Sequence, residues 1–127
     1  MIKGVAHAAI NATDLERSLR FYRDLLGLPV VEDLTMDNGV RLVHLAVGPS
    51  STIELFGRPG PMGPLPAGQN AGLVHLALTV DDVDAVYARL QAQGVEFHVT
   101  PRPGRGQTKR LAFFKDPDGV PVEIVEK

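Results

Sequence analysis

The chain has 127 residues, of which 44% are hydrophobic and 22% are charged, enough to bury the core of one ordinary globular domain. The mixed composition and a mean hydropathy of +0.02 exclude disordered, collagen-like and coiled-coil chains. A formal net charge of -2 supplies no positive field, so we expect neither a nucleic-acid partner nor a membrane surface. The chain has no cysteine, so any metal must be bound by His, Asp or Glu.

The predicted elements follow one order twice. A strand comes first; a helix follows, begun by the capping box of Thr13 and Glu16 and ended by Gly27; three further strands complete the first half. In the second half a strand leads to a helix that begins at Asp81 and ends at Gly94, and three strands follow. The predicted strands are 5–11, 28–34, 40–47, 51–56, 73–80, 95–99, 108–115 and 120–126. We therefore expect an α+β fold of two tandem βαβββ modules, module 1 (1–56) and module 2 (73–127).

A segment rich in glycine and proline, 57–72, separates the modules and is expected to be a linker. It can let the second module pair with its own first module or with that of a neighbouring copy. No apolar run approaches the roughly 20 residues of a membrane helix, and no signal peptide is evident, so we expect a cytoplasmic protein.

The repeat carries chemistry-bearing residues at equivalent positions. His7 and His75 are 68 residues apart, and Glu54 and Glu123 are 69 residues apart. Each glutamate points away from the apolar side chains that flank it on its strand, and an unpaired carboxylate there is costly to bury. Related by a pseudo-twofold axis, the four side chains can converge on one divalent ion such as Ni, Zn, Fe, Mn or Co. The alternative is a sheet joined by histidine–carboxylate hydrogen bonds.

The chain as a whole resembles the vicinal oxygen chelate superfamily, which includes glyoxalases, bleomycin-resistance proteins and extradiol dioxygenases. The resemblance rests on segments spread over nearly the whole chain: Val5–Asn11, Asp14–Leu28, Ile53-Glu54-Leu55, Val74–Leu78, and Phe113–Gly119 with Glu123. It implies that the paired modules form a half-open barrel around a metal site, commonly in a homodimer that binds a small-molecule substrate.

Within the superfamily, a quartet of His7, Glu54, His75 and Glu123 is most similar to that of glyoxalase I, the lactoylglutathione lyase. The resemblance implies proton transfer through a metal-stabilised enediolate on a small α-oxygenated carbonyl, as a thiol adduct. Glu123 is then the expected catalytic base and Glu54 its symmetric partner. Methylmalonyl-CoA epimerase-like and extradiol dioxygenase-like activities are alternatives that use subsets of the quartet, and a metal-free drug-binding protein is an alternative of another class.

Glutathione-dependent members have an arginine and an asparagine where this chain has Asn11 and Arg58, while their basic residue before the seventh strand is matched by Arg105. Arg105 is therefore a candidate substrate-binding residue. Its neighbours Arg102, Lys109 and Arg110 complete a basic cluster that can clamp a carboxylate or phosphate or can be a solvated hairpin. His44 is a second candidate for substrate binding, since the corresponding strand supplies a general base in some relatives, and a rim or core histidine is the alternative.

Overall fold

The computed structural model describes residues 1–127 as two compact units, Met1–Gly63 and Pro64–Lys127. The first unit contains β1 (His7–Ala12), helix α1 (Leu15–Leu19), a π-helical segment (Arg20–Leu25), β2 (Val30–Thr35), β3 (Arg41–Val47) and β4 (Ser51–Gly57). The second contains β5 (Leu76–Thr79), helix α2 (Val83–Ala92), β6 (Phe97–Pro103), β7 (Arg110–Lys115) and β8 (Pro121–Glu126). The predicted α+β class and the two tandem modules are confirmed.

The sheets of the two units have the same topology. Strand order is β1-β4-β3-β2 in the first and β5-β8-β7-β6 in the second. In each, the first strand pairs in parallel with the fourth, and the remaining neighbours are antiparallel. Consequently β4 and β8, the strands that carry the two glutamates of the repeat, are inner strands with a neighbour on both sides.

Each helix buries one face against its own sheet. In the first unit Leu19 and Tyr22 are at most 1% exposed, and they share the core with alternate residues of the inner strands, Val43, Leu45, Ile53 and Leu55. In the second unit Val83 and Leu90 of α2 are buried in the same way and share the core with Ala112, Phe114, Val122 and Ile124. Because burying one such side chain contributes about 1.5–3 kcal/mol, these faces fix which side of each sheet the helix covers.

An arginine at equivalent positions ties each helix to its sheet. Arg41 of β3 contacts Glu16 of α1 at 2.6 Å (Nη1 to Oε1) and also binds Asp33 of β2. Arg110 of β7 contacts Asp84 of α2 at 2.8 Å (Nε to Oδ2). The Arg41 guanidinium lowers the pKa of the Asp33 carboxyl, so this exposed ion pair stays charged to more acidic pH than a free aspartate would.

The helix starts differ from the prediction by one residue. Asp14, not Thr13, caps α1: its backbone is extended and its carboxylate accepts from Arg17 N at 3.1 Å. Asp82, not Asp81, caps α2 in the same way, accepting from Ala85 N at 2.9 Å. The predicted capping box of Thr13 and Glu16 is therefore wrong, because Asp14, one position later, accepts from the free backbone N–H of Arg17.

The helix ends agree with the prediction, although the first helix changes type on the way. Gly27 and Gly94 have positive φ angles of 76° and 91°, the left-handed conformation that favours glycine after a helix. Before Gly27 the hydrogen bonding widens, so that Leu26 N donates to Phe21 O, five residues back. Neither helix has the length and apolar character that a membrane span requires.

The strand preceding α2 is shorter than predicted. It was expected over 73–80 but comprises only Leu76–Thr79, with His75 immediately before it. Leu73 is 101% exposed and Val74 is 71% exposed within the chain, so hydrophobicity there does not reflect pairing in this sheet. The predicted alternation nevertheless holds within the strand, where Leu76 and Leu78 are half-buried and Ala77 and Thr79 are exposed.

The cap of α2 yields a test of the fold. We expect Asp82→Ala to lower the free energy of unfolding by about 1 kcal/mol, because the Ala85 N–H loses its acceptor. Asp81→Ala is the matched control and is expected to change the free energy of unfolding by less than about 0.5 kcal/mol. Urea denaturation followed by circular dichroism measures both, and equal losses would contradict the assignment of the cap to Asp82.

Candidate functional site

In the first unit, the sheet brings His7 against Glu54. Ala9 of β1 is paired with Glu54 in the register of the parallel strands, and His7 lies two residues before Ala9. His7 Nε2 is 3.1 Å from Glu54 Oε2, and the side chains are 46% and 11% exposed, respectively. A nearly buried carboxylate is thus contacted by an imidazole that is itself about half-exposed.

The second unit repeats this arrangement. Ala77 of β5 is paired with Glu123, and His75 lies two residues before Ala77. His75 Nε2 is 2.7 Å from Glu123 Oε2, and the glutamate side chain is 12% exposed. The same strand pairing therefore produces the same histidine–glutamate contact twice.

The strand on the other side of each glutamate differs between the units. His44 of β3 is directly opposite Glu54, with Nε2 3.3 Å from Oε2. Phe113 of β7 is directly opposite Glu123, and its ring meets that of His75 edge-on at 5.1 Å. Glu54 consequently has imidazoles on both sides, whereas Glu123 has an imidazole and a phenyl ring.

The donors fit a divalent transition metal. Donors about 2.1 Å from one ion are separated by about 3.0 Å at a right angle and about 3.4 Å at a tetrahedral angle. The observed separations of 3.1 Å and 2.7 Å are close to the first value, and imidazole with carboxylate is a donor set that Ni, Zn, Fe, Mn and Co accept. His44 Nε2 is buried without a hydrogen-bond partner, a polar atom still unsatisfied beside this donor set.

The structure thus brings the predicted residues together as pairs within their own units. No group of three or more His, Cys, Asp or Glu side chains forms a ready ligand cluster. His7 and His44 both approach Oε2 of Glu54. These contacts also satisfy each carboxylate inside its sheet, which was the alternative expectation. Ligation of one ion by all four residues stays a prediction.

The basic cluster of the second unit separates into paired and unpaired residues. Lys109 contacts Glu126 at 2.8 Å (Nζ to Oε1) and lowers the pKa of its carboxyl, while Arg110 is held by Asp84. Arg102 and Arg105 have no acidic partner and instead line a cavity of about 430 Å³, together with Pro103, Gly104, Thr108 and Leu111. Two uncompensated guanidinium groups in one cavity suit an anion such as a carboxylate or phosphate.

The backbone of this hairpin holds the cavity in shape. Gly104 N donates to Lys109 O at 3.0 Å, and Thr108 N donates to Arg105 O at 3.0 Å. A Cβ at Gly104 would collide with the carbonyl oxygen and side chain of Thr108, so only glycine fits.

Two residues that the sequence marked only as departures from the family pattern form a contact. Arg58 Nε donates to Asn11 Oδ1 at 2.8 Å, and the guanidinium carbon lies 4.5 Å from the centre of the Phe56 ring. Asn11 follows His7 by four residues and Arg58 follows Glu54 by four, and this shared spacing was the signal in the sequence. A second oriented guanidinium therefore stands beyond the end of β4.

Comparison with known proteins identifies the family. Residues 4–124 match the model of the Glyoxalase/Bleomycin resistance protein/Dioxygenase superfamily, and the chain belongs to this superfamily. It is 38% identical over 127 residues to the uncharacterized protein YaeR of Escherichia coli strain K12, covering 99% of this chain and 98% of YaeR.

Two further relatives bear on function. The chain is 31% identical over 128 residues to a lactoylglutathione lyase of Haemophilus influenzae, covering 96% of this chain and 91% of that enzyme. Its fold is similar to the crystal structure of TnmS3, an antibiotic-binding protein from Streptomyces sp. CB03234, with a TM-score of 0.74, 29% identity and 98% coverage of both chains.

Proposed function

We propose that this protein is a divalent-metal-dependent lyase or isomerase of the glyoxalase I type, acting on a small α-oxygenated carbonyl compound as its thiol adduct. The observation that carries the proposal is the repeated contact of a histidine with a nearly buried glutamate, at 3.1 Å in one unit and 2.7 Å in the other. The similarity to a lactoylglutathione lyase supports it.

A homodimer is part of the proposal. Exposed apolar side chains offer surface for a second copy of the chain: Met1, Ile2, Val5, Leu73 and Val74.

His7, Glu54, His75 and Glu123 are the residues that would hold the metal. When bound, the metal would polarise the substrate oxygens and make the neighbouring C–H bond more acidic. The imidazoles are neutral donors and the carboxylates supply the negative charge, so the set compensates a divalent cation.

Glu123 is the proposed general base. Its carboxylate accepts the proton from the carbon that bears the hydroxyl and sulfur of the adduct and returns it to the adjacent carbonyl carbon, while the hydroxyl proton passes to the former carbonyl oxygen. The substrate is isomerised to a thioester of a 2-hydroxy acid, and no oxidant or reductant is consumed. The ring of Phe113 and the low exposure of Glu123 limit water at this carboxylate, which lets it return the same proton to the substrate.

The anionic end of the substrate is assigned to Arg105, assisted by Arg102. These residues face the cavity of about 430 Å³ without acidic partners, whereas the other basic residues of the hairpin are neutralised. An adduct with a carboxylate-bearing thiol therefore suits the site better than an uncharged one.

A metal-free ligand-binding protein is the second candidate. The similarity to the antibiotic-binding protein TnmS3 favours it, since that chain shares the fold over nearly its whole length. Saturable binding of a ligand to the metal-free protein, with no catalytic activity gained on adding metal, would identify this function. Epimerase and extradiol dioxygenase activities have less support, because neither needs both glutamates.

Metal content tests the proposal. The protein, purified without a tag and reconstituted with Ni²⁺, Zn²⁺ or Co²⁺, is expected to hold about one ion per chain by plasma mass spectrometry, because the quartet supplies one set of ligands. His7→Ala and His75→Ala should lower the affinity to a similar extent, since the two histidines occupy equivalent positions. Glu54→Ala/Glu123→Ala should lose the metal. A wild-type protein that binds no metal would favour the ligand-binding candidate.

The role of Glu123 has its own test. Glu123→Gln should lower kcat for methylglyoxal–thiol adducts by about 100-fold or more while most of the metal stays bound, because an amide oxygen can ligate but cannot accept the proton. Stopped-flow absorbance at the thioester band, with metal content measured on the same sample, reports both effects. Unchanged turnover would remove Glu123 from the mechanism.

The cavity predicts a change in substrate affinity. Arg105→Ala should raise KM about tenfold for an adduct whose thiol carries a carboxylate, because a charge-assisted hydrogen bond is lost. The matched control is Lys109→Ala, in the same hairpin, whose ammonium is already engaged by Glu126 and should leave KM within about twofold. An equal rise in both variants would indicate a general electrostatic effect rather than a binding site.

A further inference from the structure

The two glutamates of the repeat differ in the residue that faces them from the third strand of each unit. His44 is the register partner of Glu54, and Phe113 is the register partner of Glu123. The positions correspond, because in both units this strand runs antiparallel to the strand that carries the glutamate. The two units therefore differ in the residue at this position and not in their strand topology.

The imidazole of His44 is placed to restrain Glu54. Its Nε2 is buried, lies 3.3 Å from Glu54 Oε2 and has no hydrogen-bond partner. The contact falls short of a well-aligned hydrogen bond, so a small rotation of the carboxylate gives this nitrogen the acceptor that it lacks. Movement of that oxygen away from the sheet would take it out of reach of His44 Nε2.

Glu123 lacks an equivalent restraint from the strand opposite it. His75 contacts its Oε2 at 2.7 Å, but the opposing Phe113 ring has no N–H to donate and packs edge-on against His75. A phenyl ring packs against a carboxylate without hydrogen-bonding to its oxygens. The carboxylate of Glu123 can therefore rotate toward a ligand without losing a hydrogen bond to this strand.

We propose that His44 is a positioning residue that holds Glu54 in place as a fixed ligand, leaving Glu123, opposed by Phe113, as the carboxylate that turns to the substrate and carries the proton. This inference rests on the proposed function and deepens it, since it gives a physical reason why one glutamate of a near-symmetric pair becomes the base.

The test exchanges the two residues. His44→Phe copies the second unit and should weaken Co²⁺ binding about tenfold, because an outer residue that orients a ligand is lost. His44→Gln keeps an N–H donor at this position and should restore the affinity to within about threefold of wild type. Competition with a chromophoric chelator gives the affinities, and the visible spectrum of bound Co²⁺ should change in His44→Phe but not in His44→Gln.

Turnover gives an independent measurement. Phe113→His supplies Glu123 with a second imidazole and should lower kcat about tenfold with KM within about twofold, because the base is then restrained as Glu54 is. In the Glu123→Gln background, adding His44→Phe should raise kcat at least tenfold, because the released Glu54 can take over proton transfer. Circular dichroism checks that each variant is folded.

The outcomes separate the two proposals. A wild-type protein that binds no Co²⁺ would overturn the proposed function, and the role of His44 with it. A wild-type protein that binds Co²⁺ and turns over substrate, with the same Co²⁺ affinity and spectrum in folded His44→Phe, would overturn the role of His44 alone.

Discussion

A carboxylate on an inner strand of a sheet must find a partner where the side chains of the neighbouring strands keep water away from it. Glu54 and Glu123 are both in this position, with side chains 11% and 12% exposed. In each unit the partner is a histidine two residues before the register partner of the glutamate; His7 begins the parallel strand β1, and His75 comes immediately before β5. The parallel pairing of first and fourth strands is therefore what makes these glutamates tolerable, and it also places imidazole and carboxylate side by side.

The other elements of each unit leave uncovered the face of the sheet that carries the glutamate. The helix covers the opposite face, where Tyr22 in one unit and Leu90 in the other are fully buried. Arg41 and Arg110 form ion pairs with the helices from equivalent strand positions. Both apolar packing and ion pairing therefore hold each helix on the same face of its sheet. Since side chains alternate along a strand, the residues between the core positions necessarily point to the uncovered face.

Periodicity and self-similarity were sufficient to predict the modules, the strand faces and the equivalence of the histidine–glutamate positions. They failed where the outcome depends on competition between neighbouring groups: Asp14 displaced Thr13 as the cap, and the exposed residues Leu73 and Val74 did not join β5. The widening of the first helix at Phe21 has no distinctive residue in the sequence that would predict it.

The same distinction applies to the candidate site. That four basic residues occupy one hairpin was visible in the sequence, but which of them keep a free charge depends on Glu126 and Asp84, which come from other elements. The contact of His44 with Glu54 likewise required the antiparallel register of β3 and β4. The repeat predicts that each of its histidines pairs with its glutamate, but it does not predict which further side chains contact these residues or neutralise the hairpin.

The proposed function requires both histidines of the repeat to ligate one metal ion together with both glutamates. X-ray absorption at the metal edge of the Ni²⁺-loaded protein tests this most directly, because imidazole rings give a multiple-scattering signal from which their number is counted. Two imidazoles per ion, with the remaining ligands oxygen, is the predicted result, and His75→Ala should reduce the count to one. An ion with one imidazole in the wild-type protein, or with none, would contradict the claim.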